Sequence, residues 1–364
     1  MQWGKGPGDR GFFPRNLVSG IISETTGKGP RDRGFFLLLL LFLLLAACAP
    51  APTPTPSPTP APTLTAVPTL EPVSDYPTVD ALHTAVIPTR DRIDLARRYL
   101  GINSLPPTPA SAVTRTVGEQ QNFWISDSNA DVVQSVTAVL RAVGEHIYIW
   151  MDSRADVTDE LAESLARYFD DSIYNEVREL WGSEPTPGID GDPRIYGLFA
   201  YGLAPGVAGY FASAHLYPQE IQPYSNQHEM IIFNLDSLND DITGLSVQSL
   251  LAHEFQHMIR ANVDDNEDTW MDEGFSTFTE LYLGYPNELG AIASFLGTPR
   301  TQLNAWAETG ARTPHYGAAG LYFQYFFERY GRAMIQTLSA DPASGISAVE
   351  NTIGVEASDA LLAD

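Results

Sequence analysis

The sequence predicts an α+β protein, with strands mainly before residue 245 and helices mainly after it. Three stretches rich in β-branched and aromatic residues, at 145–151, 194–200 and 229–234, have the length and composition of strands. Later in the chain, apolar residues recur at helical spacing. Strands first and helices afterwards are the element order of an α+β fold. We therefore expect a strand-containing part and a mainly helical part, with a cleft between them.

The N-terminus reads as a targeting segment. Basic residues precede an apolar run from Phe35 to Ala47, which is shorter than the roughly 20 residues of a membrane-spanning helix. The run ends in Leu45-Ala46-Ala47-Cys48, which resembles the lipobox of bacterial lipoprotein signals. The resemblance implies cleavage before Cys48, a lipid on that cysteine and a location on the extracytoplasmic face of the cell membrane. An ordinary signal peptide that happens to contain a cysteine is the alternative.

The segment after the signal has the composition of a stalk. Residues 49–72 repeat alanine, proline and threonine, which favours extended polyproline II structure over helix or sheet. A short helix is predicted over 89–100, before a proline-rich break at 105–107. We therefore expect three regions, namely a leader (1–47), a lipid-anchored linker with a short helix (48–109) and a folded domain (110–364). The domain divides into a strand-rich part (110–244) and a helical part (245–364).

Composition limits the possible functions. The chain has 364 residues, 44% of them hydrophobic, which is enough for a substantial core. Lys+Arg 21 against Asp+Glu 45 gives a net charge of -24, and an acidic protein repels phosphate backbones. We expect no nucleic-acid partner. Cys48 is the only cysteine, which excludes intrachain disulfides and thiol catalysis in the domain. The oligomeric state stays open.

An HExxH motif lies at residues 253–257, inside a predicted helix. His253 and His257 are four residues apart, about one helical turn, so both imidazoles reach the same side while Glu254 lies beside them. This is the layout of a zinc hydrolase. The adjacent side of the helix is apolar and suits packing on a core; it carries Val247, Leu251, Phe255, Met258 and Ile259.

A catalytic zinc ion needs three protein ligands and one open position, so a third ligand is required. Glu273 is the best candidate, since it lies in the first turn of a second predicted helix, after a polar loop at 262–268. Glu280 lies seven residues further, two turns along the same face, where it could orient one histidine. A solvated helix glutamate is the alternative for Glu280.

These motifs resemble a known family. HExxH on a helix, followed by Trp270-Met271-Asp272-Glu273-Gly274, is similar to the gluzincin zinc peptidases, in which the glutamate of the second helix is the third ligand. Asp272 stands where related enzymes commonly carry asparagine. The resemblance extends over about residues 143–331 to the hyicolysin-type bacterial metallopeptidases. It is carried further by Asp190–Ile195, Val207–Phe211, Ser225-Asn226, Glu229-Met230 and His315–Ala318.

The resemblance implies a division of roles in peptide hydrolysis. Glu254 would accept a proton from the attacking water and pass it to the leaving amine. The oxyanion of the intermediate requires a donor opposite Glu254. Similar enzymes supply it as a tyrosine or histidine from a helix beyond the third ligand, so Tyr316 is our choice and His315 the second. An ordinary residue at a helix start is the alternative for Tyr316.

A calcium ion is a second cofactor to consider. The loop after the HExxH helix is acidic but lacks the spacing of an EF-hand, so a solvated loop is the favoured interpretation. The acids in question are Asp264, Asp265, Glu267 and Asp268.

The substrate is expected to be a peptide or protein, bound by strand addition to a sheet edge. Related zinc aminopeptidases carry a G-x-M-E-N strand whose glutamate binds the free amine, and here Glu229-Met230 is only a fragment of it. This favours a membrane-anchored zinc endopeptidase. A zinc aminopeptidase and a non-catalytic surface lipoprotein on a peptidase-like fold are the alternatives.

Overall fold

A mixed β-sheet is the framework of the protein. The computed structural model describes residues 91–127, 132–286, 289–307 and 311–363, together with Thr78 and Ala81. Those from Asp91 onward belong to one compact unit. The predicted leader, its Cys48 and the proline-rich stalk lie outside the described residues.

Helix α1 (Arg92–Leu100) comes first. The Asp91 carboxylate caps it by accepting hydrogen bonds from the amides of Ile93 and Asp94, and Gly101 ends it with a φ of 70°. The Arg92 guanidinium lies 5.2 Å from the centre of the Tyr217 ring. Helix α1 therefore contacts the loop that follows the fifth strand.

Six strands form one sheet in the order β1-β2-β3-β4-β6-β5. Neighbours β3, β4 and β6 run parallel, and the other pairs are antiparallel. Every residue of β3, β4 and β6 is buried, which explains their apolar sequences. The strands are β1 (Gln120–Asp127), β2 (Val132–Val143), β3 (Ile147–Asp152), β4 (Ile195–Ala200), β5 (Gly209–Phe211) and β6 (Met230–Asn234).

Helices connect β3 to β4 and then dominate the chain after β6. The crossover consists of α2 (Asp159–Tyr168), a π-helical turn (Phe169–Ile173) and α3 (Tyr174–Trp181), and a 3-10 turn (Ser213–Leu216) follows β5. The later helices are α4 (Leu235–Leu238), α5 (Leu245–Val263), α6 (Thr269–Tyr282), α7 (Leu289–Gly297), α8 (Thr313–Ser339, kinked at Gly331), α9 (Ile346–Ile353) and α10 (Val355–Ala363).

The two faces of the sheet belong to separate hydrophobic clusters. On one face, Ile149 and Phe233 share a core with Phe255 of α5 and with the helices around it. On the other face, Trp150 packs against Phe123 of β1, with ring centroids 5.2 Å apart. Burial of α5 on the first face fixes which side of this helix is left for polar side chains.

Helices α6 and α8 approach closely at Gly274. A Cβ placed on Gly274 would lie 2.6 Å from Cε2 of Phe323, so only glycine fits without a shift of the ring. This contact holds the start of α6, including Glu273, against α8.

The α+β prediction is confirmed. The strands predicted near β3, β4 and β6 are present, whereas β1, β2 and the three-residue strand β5 were not predicted. No helix in the described part of the chain combines the length and hydrophobicity that a membrane span requires.

Candidate metal centre

Helices α5 and α6 bring three predicted ligands to one point. The Nε2 atoms of His253 and His257 lie 3.2 Å apart. Oε2 of Glu273 lies 3.4 Å from Nε2 of His253 and 3.6 Å from Nε2 of His257. His253 and Glu273 are 2% and 3% exposed. Among the described residues, this is the only group of three or more histidine, cysteine or acidic side chains whose atoms converge closely enough to hold a metal ion.

The spacing of these atoms fits a tetrahedral metal. Ligands about 2.0–2.1 Å from a zinc ion in tetrahedral geometry are separated by about 3.3–3.4 Å. Oε2 of Glu273 is buried and has no hydrogen-bond partner among the described residues, which is costly unless a cation meets it. Two imidazoles with one carboxylate are also a donor set typical of zinc. The residues present therefore fit a metal ion.

Each histidine has a carboxylate on its other ring nitrogen. Oε1 of Glu280 lies 2.6 Å from Nδ1 of His253, and Oδ1 of Asp272 lies 3.3 Å from Nδ1 of His257. These contacts leave Nε2 of each ring to face the ligand cluster. The structure thus places Glu280 beside His253, the first histidine of the HExxH motif. The contact of Asp272 was not predicted, although its position next to Glu273 in the sequence is a usable signal.

The acids around the histidines attract positive charge. Burial lowers the pKa of His253, but Glu273 and Glu280 outweigh this effect and raise that pKa to about 10. Burial also lowers the pKa of His257, while Asp272 and Glu273 together raise it well above its usual value. Burial raises the pKa of Glu273, yet the two histidines reduce it to about 2. The negative potential of these carboxylates would also stabilise a divalent cation.

Glu254 lies beside the ligand cluster, at the edge of the sheet. Its Oε2 accepts a hydrogen bond of 2.8 Å from the backbone amide of Phe211 in β5, and its Oε1 is buried without a partner among the described residues. Burial raises the pKa of Glu254, against the opposing effect of His253 and His257. Strand β5 is an edge strand, so Glu254 is anchored at an end of the sheet. The Phe211 contact was not predicted.

Tyr316 approaches the cluster from the first turn of α8. Its ring centroid lies 6.4 Å from that of His253, and it packs edge-on against Trp306 at 4.9 Å. Tyr316 is 7% exposed. The ring of His315, the second candidate, also contacts Trp306, with centroids 5.6 Å apart and the planes tilted by 49°. Of the two residues, Tyr316 is therefore the one in ring contact with a histidine of the cluster.

The acidic loop after α5 is engaged by an arginine. Nη2 of the buried Arg260 lies 2.9 Å from Oδ2 of Asp264 and 2.8 Å from Oε2 of Glu267. The other oxygen of Glu267 accepts hydrogen bonds from the amides of Asp268 and Gly345. These contacts account for two of the four acids, and the calcium site stays a prediction.

A separate cavity of about 810 Å³ lies beside β1 and the loops that precede β4 and β6. Its lining includes Trp124, Asp190, His228 and Glu229, and none of the residues of the ligand cluster. We take the cluster of His253, His257 and Glu273, and not this cavity, as the candidate functional site. Three converging donor atoms indicate a particular chemistry, whereas the volume of a cavity does not.

Comparison with known proteins identifies a metalloprotease relative. The chain is 26% identical over 288 residues to the neutral metalloprotease ShpI of Staphylococcus hyicus, a match that covers 68% of this chain and 63% of that relative. The chain therefore spans less than two thirds of the length of the relative it matches. No protein-family model matches the chain. The similarity supports a relationship with the metallopeptidases.

Proposed function

We propose that this protein is a zinc metallopeptidase that hydrolyses peptide bonds. The observation that carries the proposal is the convergence of Nε2 of His253, Nε2 of His257 and Oε2 of Glu273, at separations of 3.2 to 3.6 Å, beside the buried carboxylate of Glu254. The sequence similarity to a metalloprotease supports the same activity.

His253, His257 and Glu273 would hold the metal ion. When bound, zinc supplies a Lewis acid that polarises a carbonyl oxygen and lowers the pKa of water. Glu254 is the general base of the proposal, and its unpartnered Oε1 is the oxygen available to accept a proton. The Phe211 amide holds the other oxygen, so the carboxylate is oriented before substrate arrives. After attack, the same carboxyl group returns its proton to the leaving amine.

Tyr316 is the proposed donor to the oxyanion of the intermediate. It comes from α8, its ring centroid lies 6.4 Å from that of His253, and the ring packs edge-on against Trp306. A hydroxyl group aimed at developing negative charge stabilises the transition state more than the ground state.

The substrate is proposed to be a peptide or protein chain cleaved internally. Strand β5 is short, lies at an edge of the sheet and is tied to Glu254 through Phe211, so a peptide added there as a strand would lie beside the base. Glu229, the acid of the aminopeptidase-like fragment, instead accepts a hydrogen bond of 3.0 Å from the amide of Ile189. It lines the separate cavity, whose lining includes none of the proposed metal ligands, and this supports internal cleavage over removal of N-terminal residues.

We also propose that the enzyme is anchored to the extracytoplasmic face of the membrane. The support is the lipobox-like Leu45-Ala46-Ala47-Cys48 and the proline-rich stalk that follows it. Globomycin treatment of expressing cells tests this, since block of signal cleavage would leave the uncleaved precursor. A mature form that is unaffected and free of lipid would contradict the anchor.

The activity is tested by casein digestion with the wild-type chain, with Glu254→Gln and with a chelator. We expect Glu254→Gln to retain zinc and to lose several orders of magnitude in turnover, since the base is removed and the ligands are not. A chelator should abolish digestion until zinc is restored. Undiminished activity in Glu254→Gln would refute the assigned base, and a wild-type chain that holds zinc but cuts no peptide would favour a non-catalytic protein.

The internal cleavage is tested with one peptide in free-amine and N-acetylated forms. Equal rates on both forms are expected for an endopeptidase. A strict requirement for the free amine would assign the protein to the aminopeptidases.

A further inference from the structure

We propose that Ser249 is a positioning residue of the metal centre, which acts through Glu280 to hold the imidazole of His253. The inference rests on the proposed function, because it assigns Ser249 to the support of a metal ligand. Three side chains form the connection, which runs from α5 to α6 and back to α5.

The contacts are direct. Ser249 precedes His253 by four residues, so both project from the same side of α5. Oγ of Ser249 donates a hydrogen bond to Oε2 of Glu280, while Oε1 of Glu280 lies 2.6 Å from Nδ1 of His253. Ser249 and Glu280 are both 0% exposed, so water does not compete for either oxygen.

The serine completes the hydrogen bonding of a buried charge. A carboxylate without solvent needs a donor for each oxygen, and an oxygen left unpaired is destabilising. Glu280 accepts the Nδ1 proton of His253, which leaves the lone pair of Nε2 facing His257 and Glu273. Without the Ser249 hydroxyl group, Glu280 would gain by turning towards another donor. Its hold on the orientation of the imidazole would then weaken.

A second serine on the same helix pair provides a matched control. Oγ of Ser276, on α6, donates a hydrogen bond of 2.5 Å to Oε1 of Gln256, on α5. Ser276 and Gln256 are also 0% exposed. Within the described residues, neither side chain hydrogen-bonds to a histidine. Removal of either serine hydroxyl group therefore costs one buried hydrogen bond between α5 and α6, but only Ser249 leads to a ligand.

The experiment measures the zinc dissociation constant of the full chain by competition with a chelating dye. We expect Ser249→Ala to raise this constant by about tenfold, the lower end of the effect of outer-shell partners of metal ligands. Ser276→Ala should remain within about twofold of wild type, because its hydroxyl group hydrogen-bonds to Gln256 and not to a partner of a metal ligand. Ser249→Thr, which keeps the hydroxyl group, should recover most of the loss.

A double-mutant cycle identifies the route. In a Glu280→Gln background, Ser249→Ala should add little to the loss already caused by Glu280→Gln, since the serine acts through that carboxylate. Fully additive losses would show that Ser249 does not act through Glu280 and would overturn the inference.

The outcomes separate the inference from the proposed function. Wild-type affinity in Ser249→Ala, or an equal loss in Ser249→Ala and Ser276→Ala, overturns the inference and leaves zinc binding by the wild type intact. A wild-type chain that binds no zinc ends both. If Ser249→Ala does not fold, Ser249→Cys offers a weaker donor of similar size, and it must then weaken zinc binding; wild-type affinity in Ser249→Cys also overturns the inference.

Discussion

The two histidines of the proposed metal centre are supported in different surroundings. Nδ1 of His253 meets Glu280, which is 0% exposed and held in turn by Ser249. Nδ1 of His257 meets Asp272, whose side chain is 24% exposed. His253 is therefore fixed by a buried network, whereas His257 is supported where water can replace its partner. Similar donors in one motif therefore depend unequally on the residues around them.

Substitution of either histidine should have the same effect on zinc binding, whatever carboxylate supports it. We expect His253→Ala and His257→Ala each to abolish stoichiometric zinc binding, because a site with two protein ligands is left in both cases. The loss should exceed the about 10–100-fold typical of outer-shell partners. Zinc content after dialysis measures it, with Glu254→Gln as the variant that keeps the metal. Stoichiometric zinc in either alanine variant would remove that histidine from the ligand set.

The proposed oxyanion donor, Tyr316, lies beside His253 but is not a proposed ligand. Its removal should therefore lower catalysis and leave metal binding unchanged. We expect Tyr316→Phe to lower kcat by about 10²–10³-fold, as for the loss of one oxyanion donor, with zinc content unchanged. Tyr322→Phe is the control on the same helix, since the Tyr322 hydroxyl group has no hydrogen-bond partner among the described residues. Equal kcat values for Tyr316→Phe and wild type would leave Tyr316 as a packing residue.

The two carboxylates beside the histidines, Glu280 and Asp272, should differ in how much they contribute to zinc binding. We expect Glu280→Ala to weaken zinc binding by about 10–100-fold and Asp272→Ala by only a few-fold, since water can replace the partly exposed carboxylate of Asp272. Zinc titration of both variants provides the comparison. A larger loss in Asp272→Ala than in Glu280→Ala would reverse our account of the two sides.

The smallest effect is expected at Gly274, next to Glu273, where a substitution changes packing alone. Gly274→Ala should destabilise the fold by about 1–3 kcal/mol, because the added Cβ would press on the Phe323 ring. Urea unfolding measures this, and Gly290→Ala, in open space on α7, is the control. Gly290→Ala should be neutral or stabilise the fold by up to about 1 kcal/mol through helix propensity. A Gly274→Ala variant as stable as wild type would show that α6 and α8 separate easily.

Much of the fold could be predicted from local patterns. Strands β3, β4 and β6 are predictable because they are continuously apolar, and the α+β class follows from their position before the long helices. Strands β1 and β2 carry exposed and half-buried residues along much of their length, which hides their pattern. Strand β5 has only three residues, too few for any periodicity.

At the candidate metal centre, too, some residues could be predicted from local sequence and others could not. Helical spacing places His253 one turn from His257, and Glu280 two turns from Glu273 on the same face, so these residues could be identified from the sequence. The contact between Phe211 and Glu254 joins residues 43 apart through the sheet edge, and no local pattern encodes it. Ser249 is an ordinary helix residue until the register of α5 against α6 is known. Tertiary packing therefore determines the supports, whereas local sequence determines the donors.

The most direct test of the metal centre is an anomalous difference map at the zinc absorption edge, from crystals of the chain loaded with zinc. We predict one strong peak between Nε2 of His253, Nε2 of His257 and a carboxylate oxygen of Glu273, at about 2.0–2.2 Å from each. An empty position there, or a peak coordinated by other side chains, would contradict the account.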